Sequence, residues 1–149
     1  MIVIWAILIL QFIIAVIMPK HQPAVVLYGT SCFAINLGLV VDNIFDIWLD
    51  LYGYFNKGID LEGFIAVTIT YFSVNMLYIN WFPVHRSLII KGLYILGWSL
   101  FSIVFEWGIL QTGFFYYNGW HHTYSMILYP IIFLILYGNY RIVFSLSKK

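Results

Sequence analysis

The sequence predicts an all-α fold: a polytopic helical bundle, built as one domain over residues 1–149, with five transmembrane helices. The chain is 63% hydrophobic and only 9% charged, and its mean hydropathy is +0.93. A soluble domain carries about 25% charged residues, so too few charged groups remain to cover a surface in water. Five apolar segments are long enough to cross a hydrocarbon core about 30 Å thick, which takes about 20 helical residues.

The predicted helices cover residues 2–18, 24–41, 61–82, 87–110 and 123–140. Helix breakers separate the first two helices, because Pro19 and Pro23 flank a short polar stretch. Pro83 follows the third helix, and a stretch containing Gly113 and Gly119 precedes the fifth. Pro130 lies inside the fifth helix and is expected to kink it.

The distribution of charge predicts the orientation. Six of the seven Lys and Arg fall in the first loop, in the third loop or one turn into the helix after it, and in the C-terminal tail, where no acidic residue occurs. They are Lys20, Arg86, Lys91, Arg141, Lys148 and Lys149. Lys91, the one inside the fourth helix, can extend its side chain back to the third loop. Cytoplasmic loops are enriched in Lys and Arg, so we expect the N-terminus outside, the C-terminus in the cytoplasm, and a multi-pass protein of the cell membrane.

The composition also limits the partners. The net charge of +1 supplies no basic patch to neutralise phosphates, which argues against nucleic acid. The single cysteine, Cys32, provides neither a disulfide nor a thiolate metal set. The expected partners are the lipid bilayer and either a second membrane protein or further copies of this chain.

An acidic stripe follows the second predicted helix. Asp42, Asp46 and Asp50 are spaced four apart, so a helix places all three on one face. Oxygen ligands of this kind suit Mg²⁺, and the spacing is similar to one motif of membrane prenyltransferases, although a second Asp-rich motif is missing. The alternative interpretation is a solvated acidic face on an outer loop.

Glu106 lies within the fourth predicted helix, about one turn from its outer end, with Ser102 on the same face. A carboxylate inside a span is costly, so it is expected to face the bundle or a wet cavity and is the best candidate for a catalytic residue. It also fits a structural hydrogen bond to the following loop. The candidate binding residues are Glu106, Ser102, Asn118, Trp120, His121 and His122.

The C-terminal half resembles a family of small uncharacterised multi-pass membrane proteins of spore-forming Firmicutes. The resemblance rests on Glu106-Trp107 in a late helix, Gly113, and the run Tyr117-Asn118-Gly119-Trp120 before a final helix with a basic tail. It covers roughly residues 65–141. It implies a helical membrane protein of bacterial origin and supplies no activity.

Three functions are compatible with the sequence. The first is a non-enzymatic integral membrane protein whose acidic and aromatic outer pole binds a partner, a lipid head group or an ion. The second is a membrane-embedded enzyme acting on an isoprenoid or lipid, with Mg²⁺ held by the aspartates or with Glu106 as acid/base. The third is a cation or proton pathway. A joint catalytic site requires the aspartates and Glu106 to share a pocket.

Overall fold

The computed structural model describes residues 2–58 and 60–148 and is built almost entirely of helices. Within that part of the chain there are five α-helices, one π-helical segment and two short strands. The α-helices are α1 (Ile2–Ile17), α2 (Ala24–Asp42), α3 (Leu61–Asn80), α4 (Leu88–Leu110) and α5 (His122–Leu146). The π-helical segment Asn43–Trp48 continues α2, and the strands are β1 (Tyr52–Tyr54) and β2 (Phe115–Tyr117).

Four of the described helices are long and apolar enough to cross a membrane: α2 with its π-helical continuation, α3, α4 and α5. The first helix is also apolar but has only 16 residues. Large apolar side chains cover the outer faces; Leu93 and Leu100 of α4, for example, are 63% and 62% exposed. These features are compatible with a multi-pass membrane protein.

The helix bounds follow the prediction most closely where the sequence holds a specific start or stop signal. Ser87 caps α4, since its hydroxyl accepts a hydrogen bond from the backbone N–H of Ile90. Pro130 lies within α5 without ending it, and α5 runs on to Leu146, six residues beyond the predicted end. The predicted end, Tyr140, stood just before the basic residue Arg141, but a long cationic side chain can extend along an apolar surface without interrupting a helix.

The helices pack in an order that differs from the chain order. α3 lies between α1 and α2, and α5 lies between α2 and α4. Tyr78 of α3 sits at the centre of the core, fully buried, and its hydroxyl donates to the backbone oxygen of Phe133 on α5 at 3.0 Å. This contact ties the two groups of helices together.

The connections meet at opposite ends of the bundle. At one end, Asn80 accepts from the backbone N–H of His21 at 2.8 Å and donates to the backbone oxygen of Pro19 at 3.0 Å. At the other end, which we call the sheet pole, β1 and β2 pair antiparallel with Tyr52 opposite Tyr117. The odd-numbered and even-numbered connections therefore lie at opposite poles, so successive helices alternate in direction.

The small sheet was not predicted from the sequence. Its register places Gly53 opposite Tyr116, and a Cβ atom on Gly53 would lie only 2.4 Å from the Tyr116 hydroxyl. Neighbouring residues on a strand point to opposite faces, so Tyr52 and Tyr54 share the other face. That face covers a cavity inside the bundle.

Candidate functional site

A cavity of about 190 Å³ lies inside the bundle, next to the sheet pole. All five α-helices and both strands contribute to its wall, which is mostly apolar. Two of the described acidic residues line it, Asp42 at the end of α2 and Glu106 on α4. Both are buried, with 8% and 5% of their surface exposed, so each carboxylate needs hydrogen-bond donors from the protein.

Asp42 accepts hydrogen bonds from three tyrosines, and we call these four residues the Asp42 cluster. The hydroxyls of Tyr52 and Tyr54 both donate to Oδ1, at 2.9 and 3.1 Å. The hydroxyl of Tyr71 on α3 donates to Oδ2 at 2.6 Å. The alternation along β1 puts Tyr52 and Tyr54 on one face, so a three-residue strand delivers two donors to one oxygen.

Gly38 makes room for the third donor. It lies one helical turn before Asp42, on the same side of α2. A Cβ atom at this position would fall 2.3 Å from the Tyr71 ring. The absence of a side chain at Gly38 therefore allows Tyr71 to reach the carboxylate.

Glu106 has its own three donors. Tyr117 of β2 and Ser125 of α5 donate to Oε1, the latter at 2.7 Å, and Tyr129 donates to Oε2 at 2.5 Å. Ser125 and Tyr129 are four residues apart, so they share one face of α5. The indole N–H of Trp120 donates to the Ser125 hydroxyl at 2.9 Å, which fixes the serine in place.

His122 connects Glu106 to the surface. Its Nδ1 lies 3.0 Å from the Tyr117 hydroxyl and 3.4 Å from Glu106 Oε1, and its side chain is 31% exposed. Because the single phenol hydrogen goes to Glu106, the imidazole N–H is the donor to Tyr117. Glu106, Tyr117, Ser125, Tyr129 and His122 form what we call the Glu106 cluster.

Burial and the nearby carboxylates both raise the pKa of the strand tyrosines. Burial raises the pKa of Tyr52 and Tyr54 well above the usual phenol range, and the nearby Asp42 raises it further. Burial likewise raises the pKa of Tyr117, and its hydrogen bond to Glu106 adds to the increase. These hydroxyls therefore remain protonated donors at physiological pH.

The three aspartates of the predicted stripe have different environments. The expectation of a solvated face is wrong for Asp42 and for Asp46, which is 9% exposed on the π-helical segment, because the chain folds back over the acidic side of the helix. Asp50 lies at the surface, where it pairs with Lys57 at 2.5 Å and accepts from Asn118 at 2.9 Å. Of the three, only Asp42 is among the described residues that line the cavity.

Two of the three proposed Mg²⁺ ligands, Asp42 and Asp50, are thus held by other side chains. Among residues 2–58 and 60–148, no group of three His, Cys, Asp or Glu side chains is placed to hold a metal ion. Each carboxylate oxygen of Asp42 already accepts a hydrogen bond from at least one tyrosine hydroxyl. The arrangement suits hydrogen bonding to a polar group more than coordination of a hard cation, which takes six or more oxygen ligands.

The remaining predicted residues divide into two groups. Ser102 and Trp120 line the cavity, and His122 contacts the Glu106 cluster. His121 is exposed and lies against the Tyr124 ring, while Asn118 donates to the backbone oxygen of Asp50 at 3.0 Å. Glu106 faces the bundle and a cavity, which confirms the expectation for a carboxylate in an apolar helix.

Sequence reasoning missed most of the donors. They are Tyr52, Tyr54, Tyr71, Ser125 and Tyr129. The alternation Tyr52-Gly53-Tyr54 is a short strand signal that pointed to the first two. Tyr71 shows no local signal, because its partner is 29 residues away.

No protein-family model matches the chain, and neither a curated protein nor a solved structure matches it. The resemblance to the membrane proteins of spore-forming Firmicutes therefore stays a prediction.

Proposed function

We propose that this chain is a multi-pass protein of the cell membrane whose cavity binds the polar end of a lipid-like amphiphile. The observation that carries the proposal is that Asp42 and Glu106 line one apolar cavity. A ligand site of this kind is mostly apolar with a few placed polar groups that orient the ligand. Here the polar groups lie at one end and the apolar wall extends away from them along the helices.

The proposed topology has five spans, with the sheet pole outside and the C-terminus in the cytoplasm. It is supported by the alternating direction of the helices and by the distribution of charge, since Lys20 and Arg86 belong to the connections opposite the sheet pole. α1 is short for a span, but a short helix is accommodated by local thinning of the bilayer. A cysteine introduced at Asn56 is expected to react with an impermeant thiol reagent added outside intact cells, and one introduced at Ser147 to react only after lysis, both in a Cys32→Ser background.

The binding proposal is tested by photolabelling in detergent micelles. The probe is a single-chain alcohol that carries a diazirine in its alkyl chain. We expect adducts on cavity-wall residues such as Leu37, Val74 and Leu136, in addition to the outward-facing Leu93. Adducts confined to outward-facing positions would contradict the proposal.

A matched pair of variants locates the label. Ser102→Phe adds a ring to the cavity wall, so adducts on the other wall residues are expected to fall several-fold. Leu100→Phe adds the same ring on the outer face of α4, where Leu100 is 62% exposed, and labelling of the cavity is expected to persist.

A second candidate is a membrane-embedded enzyme that acts on a lipid or isoprenoid. It is favoured by one observation: Tyr117 and His122 link Glu106 to the surface, which gives an acid/base group a route for protons. Conversion of a bound lipid that is lost in Glu106→Gln, while the cavity is still labelled, would support this candidate. Binding without conversion favours the first.

A further inference from the structure

We propose that the amphiphile taken by this cavity has a cationic, ammonium head group, held at the polar end by Asp42 and Glu106. This inference rests on the proposed function and adds the chemistry of the ligand. It follows from the charge of the site, from the lone pairs still free on its carboxylates, and from an unpaired amide in the cavity wall.

Neither carboxylate is paired with a Lys or Arg. Within 4 Å of either, in the part of the chain that the structure describes, the one basic group is the imidazole of His122, whose Nδ1 lies 3.4 Å from Glu106 Oε1. All the donors around them are neutral hydroxyls. Two acidic groups in a low-dielectric cavity favour a positive ligand, because Coulomb attraction between charges is several times stronger there than in water.

The carboxylates also keep room for more donors. A carboxylate has about four acceptor positions. Tyr71 is the one donor to Asp42 Oδ2, and Tyr129 is the one donor to Glu106 Oε2, among the described residues. An ammonium group brings up to three N–H donors and no acceptor, which matches what these oxygens lack. A phosphate or sulfate head would bring acceptors and negative charge instead.

A third observation indicates that the cavity is built to hold a ligand. Asn75 lines it and is 1% exposed, yet its Oδ1 has no partner among the described residues. Its amide nitrogen donates to the hydroxyls of Thr30 and Ser31, both at 3.1 Å. The Thr30 hydroxyl donates to the backbone oxygen of Val26 at 2.8 Å, so it can only accept from Asn75. This fixes the orientation of the amide and leaves Oδ1 as the free acceptor.

Gln11 on α1 offers an unpaired donor where Asn75 offers an unpaired acceptor. It also lines the cavity, and its amide nitrogen lacks an acceptor within the described residues. A buried polar atom without a partner is destabilising. These two unmet groups lie in the same wall as the carboxylates, so the cavity offers polar contacts to a bound molecule beyond its head group.

The test compares three photoreactive probes with the same alkyl chain and diazirine but different heads: a primary ammonium, an alcohol and a sulfate. With the unaltered protein in neutral maltoside micelles, we expect the ammonium probe to label the cavity wall about tenfold more than the sulfate probe. The alcohol should lie between them. Equal labelling by all three heads, or a preference for the sulfate, would overturn the inference but leave amphiphile binding standing. No cavity labelling with any head would contradict the proposed function itself.

Variants then assign the preference to the carboxylates. Asp42→Asn and Glu106→Gln are each expected to reduce the ammonium-to-alcohol ratio several-fold, and the double variant to bring it near one. Glu62→Gln removes an exposed acidic group from the same pole and should leave the ratio unchanged. If Glu62→Gln lowers the ratio as much as Glu106→Gln, the preference comes from surface charge and the inference fails. The comparison of head groups on the unaltered protein stands even if a variant fails to fold.

Discussion

The Asp42 cluster and the Glu106 cluster both supply donors to a buried carboxylate, but the donors come from different elements of the fold. Each buries a carboxylate and gives it three hydroxyl donors. The donors to Asp42 come from β1 and α3, whereas those to Glu106 come from β2 and α5. The pairing of β1 with β2 joins the two clusters, so the sheet acts as a common lid over both.

The clusters differ in what their donors touch. The described donors to Asp42 are all phenols, of which Tyr52 is buried and Tyr54 and Tyr71 are half-buried. The donor Tyr117 of the Glu106 cluster instead touches the partly exposed His122. The difference suggests that Asp42 contributes more to holding the fold, while Glu106 is the carboxylate that can exchange protons with the surroundings.

The largest expected effect is the loss of a carboxylate. Asp42→Ala leaves three phenol donors without their acceptor, and at about 1–3 kcal/mol for each we expect the free energy of unfolding to fall by 3 kcal/mol or more. Glu106→Ala should cost about 1 kcal/mol less, because Tyr117 can turn to His122. Denaturant unfolding in micelles, followed by tryptophan fluorescence, measures both.

The matched control for this prediction is Glu62→Ala. Glu62 is exposed in the first turn of α3, and a surface substitution changes stability by about 0.5 kcal/mol or less. A cost for Asp42→Ala as small as that of the control would show that the cluster is not a structural tie.

The next largest effect is expected from a substitution at Gly38, which packs against the Asp42 cluster. Gly38→Ala puts a methyl group 2.3 Å from the Tyr71 ring, so the ring must shift away from Asp42. We expect a loss of about 1–3 kcal/mol, as for overpacked cores, and little further loss when Tyr71→Phe is added, because both changes break the same contact. Gly97→Ala on α4 meets open space and should be neutral or slightly stabilising.

Alkaline pH should reduce the contribution of the strand tyrosines to the stability of the fold. Their pKa is raised in the folded protein, so the folded state keeps protons that the unfolded state loses above pH about 10. Stability from these groups is fully present below that pH and falls as pH rises, by up to about 1.4 kcal/mol per pH unit for each tyrosine. Tyr52→Phe should make the fall less steep.

The smallest effect is expected at the exposed pair of Asp50 and Lys57. The Lys57 side chain is 71% exposed. Exposed ion pairs contribute little to stability and are screened by salt. Lys57→Met should therefore lower the melting temperature far less than Asp42→Ala does. The small effect of Lys57→Met should vanish at high salt. A large, salt-independent loss would contradict the contrast between exposed and buried carboxylates.

The sequence by itself determined the helical architecture. Uninterrupted apolar runs, with proline between the first two helices and after the third, are local features, and a helix satisfies its own backbone within its own segment. For the same reason the sequence also singled out Glu106, since a carboxylate in an apolar helix must face the interior. The sequence also placed His122 at a similar depth, and His122 does lie beside Glu106.

Only the tertiary structure decided what surrounds the carboxylates. Tyr71 reaches Asp42 across 29 residues of sequence, and it does so because Gly38 leaves space for its ring. The two-stranded sheet depends on pairing between segments more than 60 residues apart, which no local pattern specifies. Asp42 therefore appeared in the sequence as part of a solvated stripe, and the packing of α3 and β1 over it made it one wall of a cavity shared with Glu106.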